Sequence, residues 1–258
     1  MRAARALART WVGSMQDAWA NRRSFWFQAS VMIVNDSFWV VFWLIFFEQL
    51  GEVRGWVLAD VMVLQAVLTA VGGVALGLLN NSRHLGRLIA QGAIDEALVL
   101  PVPTLAYLLV RRIEPVNMGD LAFGIGLFVV AGNPTPARAA AFVVAVFIGA
   151  TALVSFLVLA GSTAFLGGRS DVGELGFHSV VLFASYPVDV FSGMVKVLMF
   201  TVVPAGFITA LPTRFVRDLD PWVAVASAAF AVGLACVAAL AFRAGLRRYT
   251  SGAMWVAA

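Results

Sequence analysis

Few side chains in this sequence could do chemistry, and their spacing excludes most kinds. The one lysine, Lys196, lies in SGMVKVLM rather than in G-x-x-x-x-G-K-[ST], the loop whose lysine reaches nucleotide phosphates. ATP hydrolysis through a phosphate loop of its own is therefore not expected. His84 and His178 are far apart and Cys236 is the one cysteine, so neither a zinc site nor an internal disulfide is expected. Ser155, Ser162, Ser185 and Ser192 have no His or Asp at a spacing that suggests a nucleophile with its base. The expectation is a non-enzyme, with no catalytic residue, no metal and no cofactor held by this chain.

Charges inside apolar sequence are the next candidates. Asp36 sits about midway along an apolar run, in VMIVNDSFWVVF. A charge at that depth in a membrane is costly, so it counts as functional until a partner explains it. It could attract a cationic substrate into a central cavity, or simply accept a hydrogen bond from Asn35, Ser37 or a neighbouring helix. Asp120, Asp189 and Lys196 lie nearer the ends of their runs. Asp189 and Lys196 are seven residues apart, about two helical turns, and would share a face if Pro187 leaves the helix intact.

The third candidate is a polar island, Asn80 to Val102, reading NNSRHLGRLIAQGAIDEALVLPV. Leu85, Leu88, Ile89 and Ala93 form one apolar face, with Arg83, Arg87 and Gln91 on the other, and Gly92 can end the helix. Two readings stand. A short transverse helix could fit a groove on a cytoplasmic partner, or an amphipathic helix could lie on lipid. Asp95 and Glu96 favour the partner, because acidic groups are unwelcome at an anionic leaflet.

The elements that must position these residues are hydrophobic. The chain of 258 residues is 61% apolar and 12% charged, where a soluble domain would carry about 25% charged residues. Apolar runs near 20 residues match a hydrocarbon core about 30 Å thick. The fold class expected is all-α and polytopic, a single membrane domain over 1–258. Spans are expected at about 25–47, 56–79, 116–132, 139–166, 173–190 and 221–243. The segment 191–212, broken by Pro204 and Pro212, is expected to dip in and return. Residues 1–24 lack the apolar core of a signal peptide. Leu7, Trp11, Met15 and Trp19 recur every four residues there, as in a helix lying in the interface.

Orientation follows the arginines. Thirteen of the seventeen fall in the termini, in 80–115 and at Arg169, against four in the alternate loops. Both termini and the 80–115 region are then cytoplasmic in a cell membrane. The same bias accounts for the net charge of +4, so nucleic acid is not an expected partner. Trp26, Trp56, Trp222 and Trp255 fall near expected interfaces. Gly73-x-x-x-Gly77, and Ala141, Ala145 and Gly149, would allow close helix approach, within the chain or at a subunit interface.

Two stretches carry a family resemblance. The island ends Gly92-x-Ile94-Asp95-x-x-Leu98-x-x-Pro101. The second half runs Tyr186-Pro187-x-x-x-Phe191, Phe200-Thr-Val-Val-Pro204-Ala-Gly-Phe, Pro212 and Gly245-Leu-Arg-Arg-Tyr-Thr-Ser-Gly252. This succession resembles the type-2 ABC transporter permeases, many of them drug exporters, along essentially the whole chain. Val99 and Leu100 stand where that family often has a basic residue before the proline.

The resemblance implies six spans, an interfacial N-terminal helix, a coupling helix after the second span and re-entrant helices before the sixth. It implies a second permease subunit, identical or different (a heterodimer is common), and two separate ATPase subunits that bind ATP and Mg. The activity implied is export of hydrophobic or cationic small molecules by alternating access, in a bacterial cell membrane. A lipid-linked or polysaccharide product is the alternative cargo, and a non-transporting membrane scaffold the rival from another class. The residues implied to dock the ATPase are Arg83, Arg87, Gln91, Gly92, Asp95 and Glu96. Those implied for the substrate pathway are Gln65, Leu68, Thr69, Phe183 and Tyr186, beside Asp36.

Overall fold

The structure, a computed structural model, describes residues 2–167 and 171–249. Those residues are helical, with no strand beyond an isolated bridge between Val53 and Trp56. Arg169, Trp255 and the Thr250–Gly252 end of the last motif lie outside them.

Helix α1 (Arg2–Ala20) leads into α2 (Arg22–Leu50) across Asn21, whose side chain accepts from Ser24 N. Next come α3 (Leu58–Gly72), α4 (Asn81–Ala90), α5 (Asp95–Leu98) and α6 (Thr104–Val110). The long α7 (Pro115–Ala131) and α8 (Pro136–Ser162) follow, then the short α9 (Ala164–Gly167) and α10 (Val172–Ala184). The chain closes with α11 (Gly193–Thr201), α12 (Leu211–Asp218) and α13 (Pro221–Leu246). Three of these start on proline, at Pro115, Pro136 and Pro221, where the missing N–H costs nothing. Thr135 and Asp220 cap α8 and α13 by accepting from Arg138 N and Trp222 N. Gly51 ends α2 with φ 68°, and Leu219 ends α12 with φ 53°.

Helix α8 is the spine, with α3, α4, α10, α12 and α13 packed on it. Helix α7 lies between α2 and α3. The small residues permit this. A Cβ on Gly124 of α7 would stand 2.6 Å from Ala70 N of α3, and one on Gly149 would strike the Ile208 carbonyl. Gly73 and Gly77 likewise meet α7, at Leu121 and Met118. All these close approaches are internal packing. Helix α3 continues as a π turn, Gly73–Gly77, and a second π turn, Gly206–Ala210, runs into α12 just before Pro212 removes an N–H.

By length and composition four helices could cross a membrane: Arg22–Leu50, Leu58–Ala90, Pro136–Gly167 and Pro221–Leu246. The number rises to six if each of two bent pairs is one span. These are Thr104–Val110 with Pro115–Ala131, bent by 78°, and Gly193–Thr201 with Gly206–Asp218, bent by 73°.

Two expectations need correction. The span expected at 173–190 is a helix of only 13 residues, ended before Pro187, which covers about 20 Å at 1.5 Å per residue. Asp189 and Lys196 do meet, but not on one helix, because Pro187 and the Ser192–Gly193 turn separate their elements. Trp56 is buried, its ring under the Arg217 guanidinium. Trp26 and Trp222 are exposed.

Candidate transport cavity and docking face

Helix α2 buries Ala29, Asp36, Trp43 and Phe47, while Phe27, Val31, Phe38 and Ile45 face outward. The first three are seven residues apart, so they form one stripe along the helix. Asp36 is the middle residue of α2 and is turned inward toward α7, with only 6% of its surface exposed. There it meets Asp120, which the sequence reading placed nearer the end of its run and did not join to Asp36. Asp120, on α7 and equally buried, brings its carboxyl within hydrogen-bonding reach of Asp36. Asn117, one turn before Asp120, donates from Nδ2 to Asp120 Oδ2 at 3.1 Å. Ser37 is not the partner once considered for Asp36, since its hydroxyl donates to Ile33 O.

These groups line a cavity of about 250 Å3 bounded by α2, α3, α7, α8 and α10, and by Arg83 from α4. It brings together Asp36, Gln65, Leu68 and Thr69, as the sequence reading grouped them. It leaves out two that were grouped with them. Tyr186 belongs to an aromatic cluster with Trp39, Trp43 and Phe191, and Phe183 packs against Phe191 and the core. Trp39 and Phe177 supply aromatic wall instead. The residue the sequence reading missed is Asn117, and its spacing from Asp120 could have found it, since that places both polar groups on one face of an otherwise apolar helix.

The polar island folds as two different parts. The apolar face of α4 does not lie on lipid. Leu85 and Ile89 pack with Ile94, Ala97, Leu108, Val158 and Phe242. Asn81 Nδ2 donates to Leu108 O at 2.7 Å and Asn80 Nδ2 to Glu114 Oε2 at 3.2 Å. His84 Nδ1 lies 3.4 Å from Glu174 of α10. Arg83 turns inward, its guanidinium 5.5 Å from the Phe177 ring centre and its Nε donating to His84 Nε2. Arg87 and Gln91 remain exposed.

At Gly92 the backbone turns with φ +71°, a conformation that L side chains rarely adopt. Beyond it the chain projects. Asp95 opens α5, and Glu96 is exposed beside Arg111 at 3.5 Å. Leu98, Val99, Leu100 and Pro101 are all exposed, Val99 to 82%.

At the other end of the molecule lies a second charged cluster. Lys196 Nζ donates to Asp189 Oδ1 at 2.7 Å and Trp56 Nε1 to Asp189 Oδ2 at 3.2 Å. Arg217 pairs with Asp60 and Asp218. The Lys196 hydrogen bond, aided by Trp56 and by the Lys196 charge, holds the Asp189 carboxyl below its ordinary value despite partial burial.

A helical bundle with buried charge, a polar cavity and several helices of membrane length defines a multi-pass membrane protein. The family model described as ABC-2 family transporter protein matches residues 31–253. The chain belongs to that family, and is a permease component that works with ABC transporter partners. No curated protein and no solved structure gives a match.

Proposed function

We propose that this chain is the permease subunit of an ABC exporter that moves hydrophobic or cationic small molecules out of the cell. Two such subunits, identical or different, form the pathway, each with six spans of which the 13-residue α10 is the shortest, an interfacial α1 and a re-entrant α11–α12. Both termini and the 80–115 region face the cytoplasm of a bacterial cell. ATP and Mg are bound by two separate ATPase subunits, and this chain performs no hydrolysis itself. Closure of the ATPase pair moves α4 and α5, and the cavity alternates between inward and outward access.

One observation carries the reading, the family match over 31–253. The division of labour within 80–102 supports it. Helix α4 is anchored to α8, α6 and α10, so a push on it reaches the spans. At 98–100 the turn projects apolar side chains that the described residues leave exposed. A projecting apolar knob on an anchored helix suits a groove in a partner protein.

Co-purification tests the assignment. The partner ATPase should be retained by the wild-type chain and lost at least severalfold with Val99→Arg, a change at an exposed site that leaves the core intact. Gly92→Trp, which forces a bulky side chain onto a positive-φ turn, should do the same. Undiminished retention by both variants would remove 92–101 from the docking face.

A further inference from the structure

Around the Asp36–Asp120 pair, hydrogen-bond acceptors outnumber donors. Asp36 Oδ2, Asp120 Oδ1 and Asn117 Oδ1 are buried atoms with no partner, in residues that are 94–95% buried. Donors of the neighbouring wall are engaged elsewhere. Gln65 Nε2 donates to Ser185 O and Thr69 Oγ1 to Gln65 O, both at 2.9 Å. Asn117 Nδ2 is used on Asp120. Asn35, next to Asp36 on α2, hydrogen-bonds its carboxyl, and Arg83 faces the pair from α4. Neither satisfies the three orphaned oxygens.

An unmet buried acceptor is costly, and two bare carboxylates in contact repel each other. One proton shared between the two carboxyls relieves that repulsion and serves their mutual contact; a group that brings positive charge and several N–H or O–H donors would serve the remaining lone pairs as well. The cavity of about 250 Å3 leaves room for more than a proton, and Trp39 and Phe177 offer aromatic faces to an organic remainder.

We propose that Asp36, Asp120 and Asn117 form, within one subunit, a binding site for the primary ammonium group of an amphipathic amine. Three N–H donors match three orphaned acceptors, which a quaternary ammonium or a neutral alcohol cannot do. Arg83 is the resident cation at the cytoplasmic side of the site. It sits on α4, so an ammonium that displaces it reports occupancy to the helix that carries the projecting turn. This names the substrate class of the proposed exporter and rests on that reading for its biological role, though the binding itself does not.

The test uses the full chain in lipid nanodiscs and titration calorimetry with n-hexylamine, against n-hexanol, hexyltrimethylammonium and sodium ion. Hexylamine at neutral pH should bind at least tenfold more tightly than hexanol or hexyltrimethylammonium. Asp36→Asn and Asp120→Asn should each weaken it about tenfold, the scale of a charge-assisted hydrogen bond. Asn117→Leu, which keeps both carboxyls, serves as the second variant if either substitution prevents folding, and should weaken binding severalfold. Equal binding of hexanol would make the cavity merely apolar and overturn the proposal. Equal binding of hexyltrimethylammonium, or displacement of hexylamine by millimolar sodium, would also overturn it. Binding without ATP-driven amine flux in the assembled complex would remove the exporter reading and leave the site standing. Flux that both variants preserve, with binding unchanged, would remove the site and leave the exporter.

Discussion

The molecule holds two carboxylate sites of opposite construction. At the outer cluster, Asp189 has Lys196 at 2.7 Å and the Trp56 indole at 3.2 Å, with its side chain about half exposed. At the inner site, Asp36 and Asp120 face each other in a buried wall of helices, and each keeps an oxygen without a donor. The outer charge is neutralised by the protein itself. The inner charge is not, and that is the expensive place to leave it, because the membrane interior offers no water in compensation. A self-neutralised pair holds elements together. A pair with orphaned acceptors has room for something brought in.

The largest effect should come from breaking what holds the inner pair in place. Gly124→Leu would drive a side chain into the Ala66 carbonyl and Ala70 N, prying α7 from α3 and Asp120 from the cavity. Overpacking of this kind costs about 1–3 kcal/mol or more, so the melting temperature in detergent should fall by several degrees or folded protein should be lost. No loss would mean that α3 and α7 are not as close as described here.

Next in size is the functional split. Asp36→Asn should lower export of amines about tenfold, the effect of losing one charge-assisted hydrogen bond, with less than about twofold effect on neutral cargo. Vesicle flux measurements compare the two, and an equal loss for both would make Asp36 structural, like Asp189.

Arg83→Gln sharpens the contrast from the other side. Removal of the resident cation should strengthen hexylamine binding several-fold by calorimetry, as expected when a like charge leaves the vicinity. Weaker binding would show that Arg83 holds the ligand rather than competing with it.

The smallest effect belongs to the outer pair. Asp189→Asn should cost under about 1 kcal/mol, since the partners are partly exposed. The sign with pH follows from the depressed Asp189 value. Its contribution is present above the unfolded value of about 3.8 and is lost as pH falls through the lower folded value. Melting curves at pH 5 and pH 8 should therefore show the same small difference between wild type and variant. A difference that appears only at pH 8 would mean that Asp189 titrates higher.

Much of the helical scaffold was legible from residue patterns. Pro115, Pro136 and Pro221 mark helix starts, and apolar runs mark lengths. The 173–190 span was misjudged because hydropathy reads apolar character through Pro187, where the backbone cannot continue a helix. Of the residues the resemblance implies for a pathway, Gln65, Leu68 and Thr69 line one cavity, whereas Tyr186 is drawn away by aromatic neighbours on α2.

By itself, the sequence determined the chemical class of the chain. Its apolar content demands a membrane, and Asp36 stands out in the middle of α2 whatever the fold. Only tertiary structure decided what Asp36 meets. Helical periodicity says which residues share a face, but not which two faces touch. Asp36 and Asp120 are 84 positions apart and are joined by the glycine-lined approach of α7 to its neighbours. The same packing turned Arg83 toward the cavity and left Val99 outside, dividing one polar island into an inner and an outer role.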